Sequence, residues 1–269
     1  MHKKIFSLIL IFTVFLSIQG NAIEFNSKEN DSFVLMYHRL SENADDLGDY
    51  SITPENFEED IKYLLNSGYT ICGANAAKEM SKGNKKICVI TFDDGYLSDY
   101  LYALPILKKY RVSATFFVIG KYVGQDEYMT EEMIYNLSQS PYAEIGNHSY
   151  ETHTLPYENY RELSHTDPSK IAEDFKKNSS YLSRIVKKDI VSASYPYGVY
   201  NTELNLLLQA SGLTTFSSDE APIKSDSNPI PRYNRPNTLT AKDIVENKIH
   251  PPVKQKTFRY PYKLDYIHG

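Results

Sequence analysis

Asp93 and Asp94 stand side by side at the end of an apolar run, Ile87–Phe92, and Gly95 follows them. Two ionised carboxylates repel at that separation, so keeping both next to a buried strand calls for a cation or a proton to relieve them. One of the pair could bind a metal while its neighbour acts as a base. His148 and His153 are five positions apart, about 140° around an α-helix, unlike the four-residue spacing of helix-borne zinc sites. A loop therefore has to present them, and Gly146-Asn147 before the first and Thr154-Leu155-Pro156 after the second suit such a turn. Asp94, His148 and His153 then make one carboxylate and two imidazoles, a donor set used for catalytic Zn²⁺, Co²⁺ or Fe²⁺ with open positions for water and substrate. Asp-Asp-Gly by itself is common turn chemistry, and a single His is more often structural. The metal reading comes from the combination.

These groups need elements to hold them. Phe33–Tyr37 reads as a buried strand with His38 at its carboxyl end. Thr53-Pro54 begins a helix with Phe57, Ile61, Leu64 and Leu65 on its inner face and Gly68 closing it. Further strands at 69–72, 87–92, 114–119, 143–146 and 190–195 alternate with helices at 97–110, 131–139, 168–186 and 202–211. In the helix at 168–186, Ile171, Phe175, Tyr181, Leu182 and Ile185 form the inward stripe. The alternation predicts an α/β fold, a mostly parallel sheet wrapped by helices, open or closed into a barrel. In parallel barrels the active site lies at the carboxyl ends of the strands. His38, Asp93 with Asp94, His148 with His153, and Tyr195-Pro196-Tyr197-Gly198 all occupy such ends, which favours a distorted (β/α) barrel of about seven strands. Residues 217–236, rich in Ser, Asp, Asn and Pro, read as a long loop. No internal repeat or linker composition marks a second domain.

Three segments carry a family resemblance: Thr91-Phe92-Asp93-Asp94-Gly95-Tyr96, Asn147-His148-Ser149-Tyr150-Glu151-Thr152-His153, and Ser194-Tyr195-Pro196-Tyr197-Gly198. In this order they resemble the first three motifs of the polysaccharide deacetylases of carbohydrate esterase family four, the NodB homology domain. The likeness runs from about Phe33 to the region of Arg232. Leu35-Met36-Tyr37-His38 and the five-residue His spacing look most like the branch that deacetylates poly-N-acetylglucosamine, where the motif carrying the acid His moves to the start of the domain. The resemblance implies that Asp94, His148 and His153 hold a divalent metal, Zn²⁺ first, with Co²⁺, Ni²⁺ or Fe²⁺ as alternatives. It implies Asp93 as general base, His38 as general acid and the backbone N–H of Tyr197 as an oxyanion donor. Water activated in such a site would lose a proton to Asp93 and attack the acetamide carbonyl, and His38 would protonate the leaving amine. Two departures stand out. The family's third motif has an Arg that orients the base, where this chain has Ala193-Ser194-Tyr195, so Arg232 or Arg235 is expected to replace it from another loop. His250, in Ile249-His250-Pro251, imitates the family's late acid motif and ranks behind His38.

The bulk numbers fit an exported enzyme. Lys3 and Lys4 precede an apolar run, Ile5–Ile18, that ends in Gln19-Gly20-Asn21-Ala22, the layout of a signal peptide cleaved after residue 22. The catalytic domain is then 23–269, and no later stretch is long and apolar enough to span a bilayer. The expected location is periplasmic or extracellular. A net charge of −5 over 269 residues argues against nucleic acid as the partner. Twenty-three Tyr and no Trp could offer ring faces and hydroxyls to a sugar, but a codon bias is the stronger explanation of the count, so composition says little about substrate. Poly-N-acetylglucosamine, peptidoglycan and chitin-like oligomers all present the same N-acetyl group. Cys72 and Cys88 could pair in an oxidising compartment or remain two buried thiols. The competing functions are a non-catalytic carbohydrate-binding protein on the same fold and a glycosidase. Glycosidases hold their two carboxyl groups roughly 5–10 Å apart across the scissile bond, which adjacent Asp residues fit badly.

Overall fold

The computed structural model describes residues 32–75, 86–224 and 227–249. The expected leader, 1–22, and His250 lie outside the described residues. Strand β1 (Phe33–Tyr37) is buried along its whole length. It is followed by two short strands, β2 (Arg39–Leu40) and β3 (Ser51–Ile52), which pair with each other in parallel. Helix α1 (Pro54–Asn66) starts at Thr53, whose side chain accepts the Asn56 N–H, and buries Phe57, Asp60, Ile61 and Leu64. Leu65, expected on that inner face, is 37 % exposed. The i, i+3, i+4, i+7 stripe takes Asp60 as its fourth member instead, because Asp60 has buried partners of its own.

Strands β4 (Thr70–Cys72) and β5 (Ile87–Phe92) come next. One edge of β5 pairs with all of β1, from Phe33 opposite Cys88 to Tyr37 opposite Phe92. Its other edge is shared: β4 takes the first half and β6 (Ala114–Val118) the second. A wide helical turn over Asp99–Ala103 runs into α2 (Leu104–Tyr110) before β6, and α3 (Glu131–Ser138) precedes β7 (Ala143–Asn147). Helices α4 (Tyr157–Thr166) and α5 (Pro168–Val186), β8 (Ser192–Ser194), α6 (Thr202–Ala210), β9 (Thr214–Phe216), β10 (Tyr233–Asn234) and α7 (Ala241–Ile244) complete the described chain.

The hydrogen-bonded path β10-β1-β5-β6-β7-β8-β9 contains seven strands, parallel at every step. The sheet curls into a half-barrel. Ile230 bridges to Phe216 of β9 while Tyr233 and Asn234 pair with Leu35 and Met36 of β1, so one short segment touches both sheet edges. The expectation of a plain loop over 217–236 is therefore corrected: the segment carries β10. Its Pro, Ser and Asn content hides a strand of two residues that forms only by pairing with β1, far away in the sequence. Helix α4, with Tyr160 and Ser164 as its buried residues, has too narrow an apolar stripe to stand out in the sequence.

Because both faces of the sheet are covered, its strands read as continuous apolar runs. Phe33, Leu35, Cys88, Ile90 and Phe92 pack toward α1 and the other helices in the larger core. Val34, Cys72, Val89, Phe117 and Phe216 fill the inside of the curl with Ile223 and Ile230. Each fully buried Leu, Ile, Val or Phe here contributes on the order of 1.5–3 kcal/mol. The cysteines lie on these opposite faces, since Ile71 pairs with Cys88 and Cys72 with Val89. Both are free, and burial pushes the Cys72 thiol up to about 12, which makes it a poor nucleophile. No helix among the described residues is long and apolar enough to cross a membrane.

Candidate active site

The chain leaves β5 through Asp93, whose N–H donates to the Tyr37 carbonyl at 2.9 Å. That bond extends the β1–β5 pairing by one step and sets Asp93 level with His38. The next two residues turn the chain with φ of 78° at Asp94 and 83° at Gly95, the left-handed region that Gly enters freely and Asp tolerates. A Cβ on Gly95 would also lie 3.1 Å from Val118 Cγ1. The Asp-Asp-Gly order thus lets two successive carboxylates diverge from one strand end.

The two carboxylates have different surroundings. Asp93 is 2 % exposed, and Arg232 donates to both of its oxygens, Nη1 to Oδ1 at 2.7 Å and Nη2 to Oδ2 at 2.8 Å. Arg232 reaches it through the inside of the curl. Its Nε donates to the Ser217 carbonyl at 2.9 Å, Nη1 also donates to Thr91 Oγ1, and the guanidinium passes 5.5 Å from the Phe117 ring centre. Burial alone would raise the Asp93 pKa, but Arg232, helped by His148 and His38, holds it well below the usual carboxylate range. Asp94 is pushed up to about 6 by burial, with the Asp93 charge adding to the effect. The environment separates the pair into one carboxylate that is ionised and one that wants a cation.

Asp94 Oδ1 is buried without a hydrogen-bond partner. It lies 3.5 Å from His148 Nε2 and 3.7 Å from His153 Nε2. His148 follows β7 directly, and its Nδ1 is 3.0 Å from the Ser194 carbonyl and 2.6 Å from Ser194 Oγ. A carbonyl only accepts, so Nδ1 carries the proton and the Nε2 lone pair faces Asp94. Burial lowers the His148 pKa to about 3 and lowers that of His153, which keeps both rings neutral. The three candidate ligand atoms lie within 4.8 Å of one another. An orphaned carboxylate oxygen converging with the Nε2 atoms of two neutral imidazoles fits a divalent cation, so Asp94, His148 and His153 could hold one.

The remaining candidates line the same pocket. A cavity of about 250 Å³ is walled by His38, Asp93, His148, His153, Tyr197 and Arg232, among others. His38 is half-buried with Nδ1 unpartnered, its ring 4.8 Å from that of Tyr50. Burial lowers the His38 pKa against the opposing pull of Asp94 and Asp93. Tyr197 lies 4.7 Å from the His153 ring, and its hydroxyl donates to the His153 and Leu155 carbonyls. Its φ is 58°, which costs a residue other than Gly on the order of 1–3 kcal/mol. Gly198 follows at φ 69°, where a Cβ would collide with Ser218 Oγ at 1.7 Å.

Of the two Arg residues expected to serve the base, Arg232 alone meets Asp93. Arg235 donates instead from Nε to Asp60 Oδ2 at 2.7 Å, where Tyr37 Oη and the Ala241 N–H also converge. Two roles were not legible in the sequence. Ser194 orients the ring of His148 from the position where the family's Arg is missing. Tyr50, 63 % exposed, stands at the pocket mouth, and nothing in its sequence neighbourhood signals that.

The structure is thus a curled parallel half-barrel that gathers a carboxylate and two imidazoles, a donor set that could hold a metal, at its strand ends. The model of the polysaccharide deacetylase family matches residues 80–216, half of the chain, and the chain belongs to this family of enzymes. The poly-β-1,6-N-acetyl-D-glucosamine N-deacetylase of Staphylococcus aureus strain MSSA476 is 29 % identical over 243 residues, covering 82 % of this chain and 83 % of that one. Among solved structures, IcaB from Ammonifex degensii aligns with a TM-score of 0.66 at 23 % identity, over 79 % of this chain and 94 % of that one. The Streptococcus pyogenes deacetylase PplD, in complex with acetate, aligns with a TM-score of 0.67 at 20 % identity, over 80 % and 96 %. At these identities the structural likeness defines the fold.

Proposed function

We propose that this enzyme removes acetyl groups from N-acetylglucosamine residues of a polysaccharide by hydrolysing the acetamide, with poly-N-acetylglucosamine as the first candidate substrate. The observation that carries the proposal is that the Asp94, His148 and His153 donor set meets, through its two histidines, a pocket shared with a separately clamped carboxylate, Asp93, and with His38. The name of the Staphylococcus aureus relative supports the choice of polymer.

A divalent cation at the three donors, Zn²⁺ in our reading, would supply Lewis acidity to a water molecule and to the acetamide carbonyl. The chain's own groups divide the remaining work. Asp93, kept ionised by Arg232, accepts the water proton at a carboxylate oxygen. The backbone N–H of Tyr197 stabilises the oxyanion of the tetrahedral adduct. His38 gives a proton to the amine nitrogen as the C–N bond breaks, leaving a free glucosamine amine and acetate. The apolar leader at 5–18 supports export to the periplasm or cell exterior, where such a polymer is met.

Acetate release from purified protein, assayed on poly-N-acetylglucosamine, peptidoglycan and chitin oligomers with Zn²⁺, Co²⁺ and Ni²⁺ in turn, tests the proposal. Acetate from the first substrate alone supports the full reading. Sugar binding without acetate release under any metal would replace it with the binding-protein alternative, and reducing ends without acetate with the glycosidase one.

A further inference from the structure

We infer that Asp174, on α5, is a positioning residue for the ligand pair His148 and His153, an inference that rests on the deacetylase reading above. The segment between the two histidines turns sharply, beginning with Ser149 at φ 66°. The N–H groups of Tyr150, Glu151 and Thr152 meet no backbone carbonyl in it, so they need partners elsewhere. The Asp174 carboxylate takes the donors. Its Oδ2 accepts the N–H of Tyr150 at 2.8 Å, of Glu151 at 3.1 Å and of Thr152 at 3.2 Å, and the Thr152 hydroxyl at 3.0 Å. Its Oδ1 also accepts the Glu151 N–H at 3.1 Å. Three successive N–H groups closing on one anion form a nest, here filled by a side chain of the same protein.

The acceptors of the turn are met from the opposite side. The N–H groups of Gly120 and Lys121 donate to the carbonyls of Ser149 and Tyr150 at 3.1 and 2.8 Å. Gly120 has to be Gly for that approach, since a Cβ there would stand 2.2 Å from Asn178 Oδ1 and 2.5 Å from the Tyr150 ring. One turn along α5 from Asp174, Asn178 Nδ2 donates to the Val118 carbonyl and to Asn147 Oδ1. Asn147 Nδ2 donates in turn to the Phe175 carbonyl, and Asn147 Oδ1 also accepts the Ser149 N–H. One face of a long, rigid helix therefore grips the chain on both sides of His148.

The two ligands depend on this grip unequally. His148 is already placed by β7 and oriented by Ser194. His153 lies at the far end of the turn, tied by its N–H to Ser149 Oγ at 3.1 Å and by its carbonyl to the Tyr197 hydroxyl at 3.1 Å. Asp174 is the group that converts the turn between them into a fixed spacer. Its loss loosens the distance from His153 to Asp94 and leaves the chemistry of each ligand intact.

The test is the Zn²⁺ affinity of the full-length chain by competition with a chromogenic chelator, at a temperature where circular dichroism shows every variant folded. Outer partners of metal ligands typically hold roughly 10- to 100-fold in affinity, so Asp174→Ala should raise the Zn²⁺ Kd by that factor. Asp174→Asn, which keeps one acceptor oxygen, should fall between it and wild type. Saturating Zn²⁺ should return kcat of both to within a few-fold of wild type, whereas His153→Ala should not recover. Should Asp174→Ala not fold, the Asp174→Asn Kd decides alone. An unchanged Kd in a folded Asp174 variant overturns the inference and leaves the deacetylase reading standing. Failure of the wild-type chain to bind any divalent cation overturns both.

Discussion

Arg232 and Asp93 are far apart in the chain yet share a two-bond fork, Nη1 to Oδ1 and Nη2 to Oδ2, with both side chains buried. Removing one partner of a buried pair strands a charge, at a cost of about 3–5 kcal/mol. Arg232→Met should therefore lower stability by about that much in urea denaturation and release Asp93 from its low pKa. The sign follows from linkage. The folded Asp93 pKa lies below the unfolded value of roughly 3.9, so the pair stabilises above that pH and the contribution fades as acid is added. In Arg232→Met this acid-dependent part of the stability should disappear, and the acid limb of the activity profile should move to higher pH. Unaltered acid sensitivity would show that Arg232 does not set the ionisation of Asp93.

Arg235 supplies the control. It is bound to Asp60 with Tyr37 and Ala241, away from the carboxylate pair. Arg235→Met should cost stability on the same scale, about 3–5 kcal/mol, while Zn²⁺ content per folded molecule stays at the wild-type value. A selective loss of metal in Arg235→Met would mean that the two Arg roles have been exchanged.

Metal binding should need all three donors. Asp94→Asn, His148→Ala and His153→Ala are each expected to lose most bound Zn²⁺ and activity, since a catalytic site with three protein ligands tolerates the loss of one poorly. Asp93→Asn should retain the metal and lose turnover. Equal metal loss in Asp93→Asn and Asp94→Asn, measured by atomic absorption, would reverse the assignment of the pair.

His38 carries the acid role in our proposal. His38→Ala should keep bound metal and substrate affinity while kcat drops by on the order of 10²- to 10⁴-fold. The alkaline limb of the rate profile should vanish with it, because that limb reports deprotonation of the acid. His250→Ala should stay within a few-fold of wild type. A large rate loss confined to His250→Ala would move the acid to the carboxyl-terminal segment.

The sequence by itself determined which residues could do chemistry and which strands end beside them. Apolar runs such as Phe33–Tyr37 and Ile87–Phe92 must be buried on both faces, and polar groups that follow them directly have to emerge at a strand end. His38, Asp93, Asp94 and His148 were legible for that reason. Local pattern also marked Thr53-Pro54 as a helix start, because a cap and a first-turn proline act within four residues. Only the tertiary structure decided between Arg232 and Arg235. Both sit in one Pro- and Asn-rich stretch, and the segment 230–234, bridged to β9 at Ile230 and paired with β1 through Tyr233 and Asn234, sends the first inside the curl and the second out to Asp60. It likewise separated Cys72 from Cys88, since a one-residue register offset between parallel strands puts neighbours on opposite faces. Asp174 was hidden among the polar residues of α5: its partners are backbone N–H groups, which every residue type carries, and which of them meet a carboxylate depends on the packing of the helix against the turn.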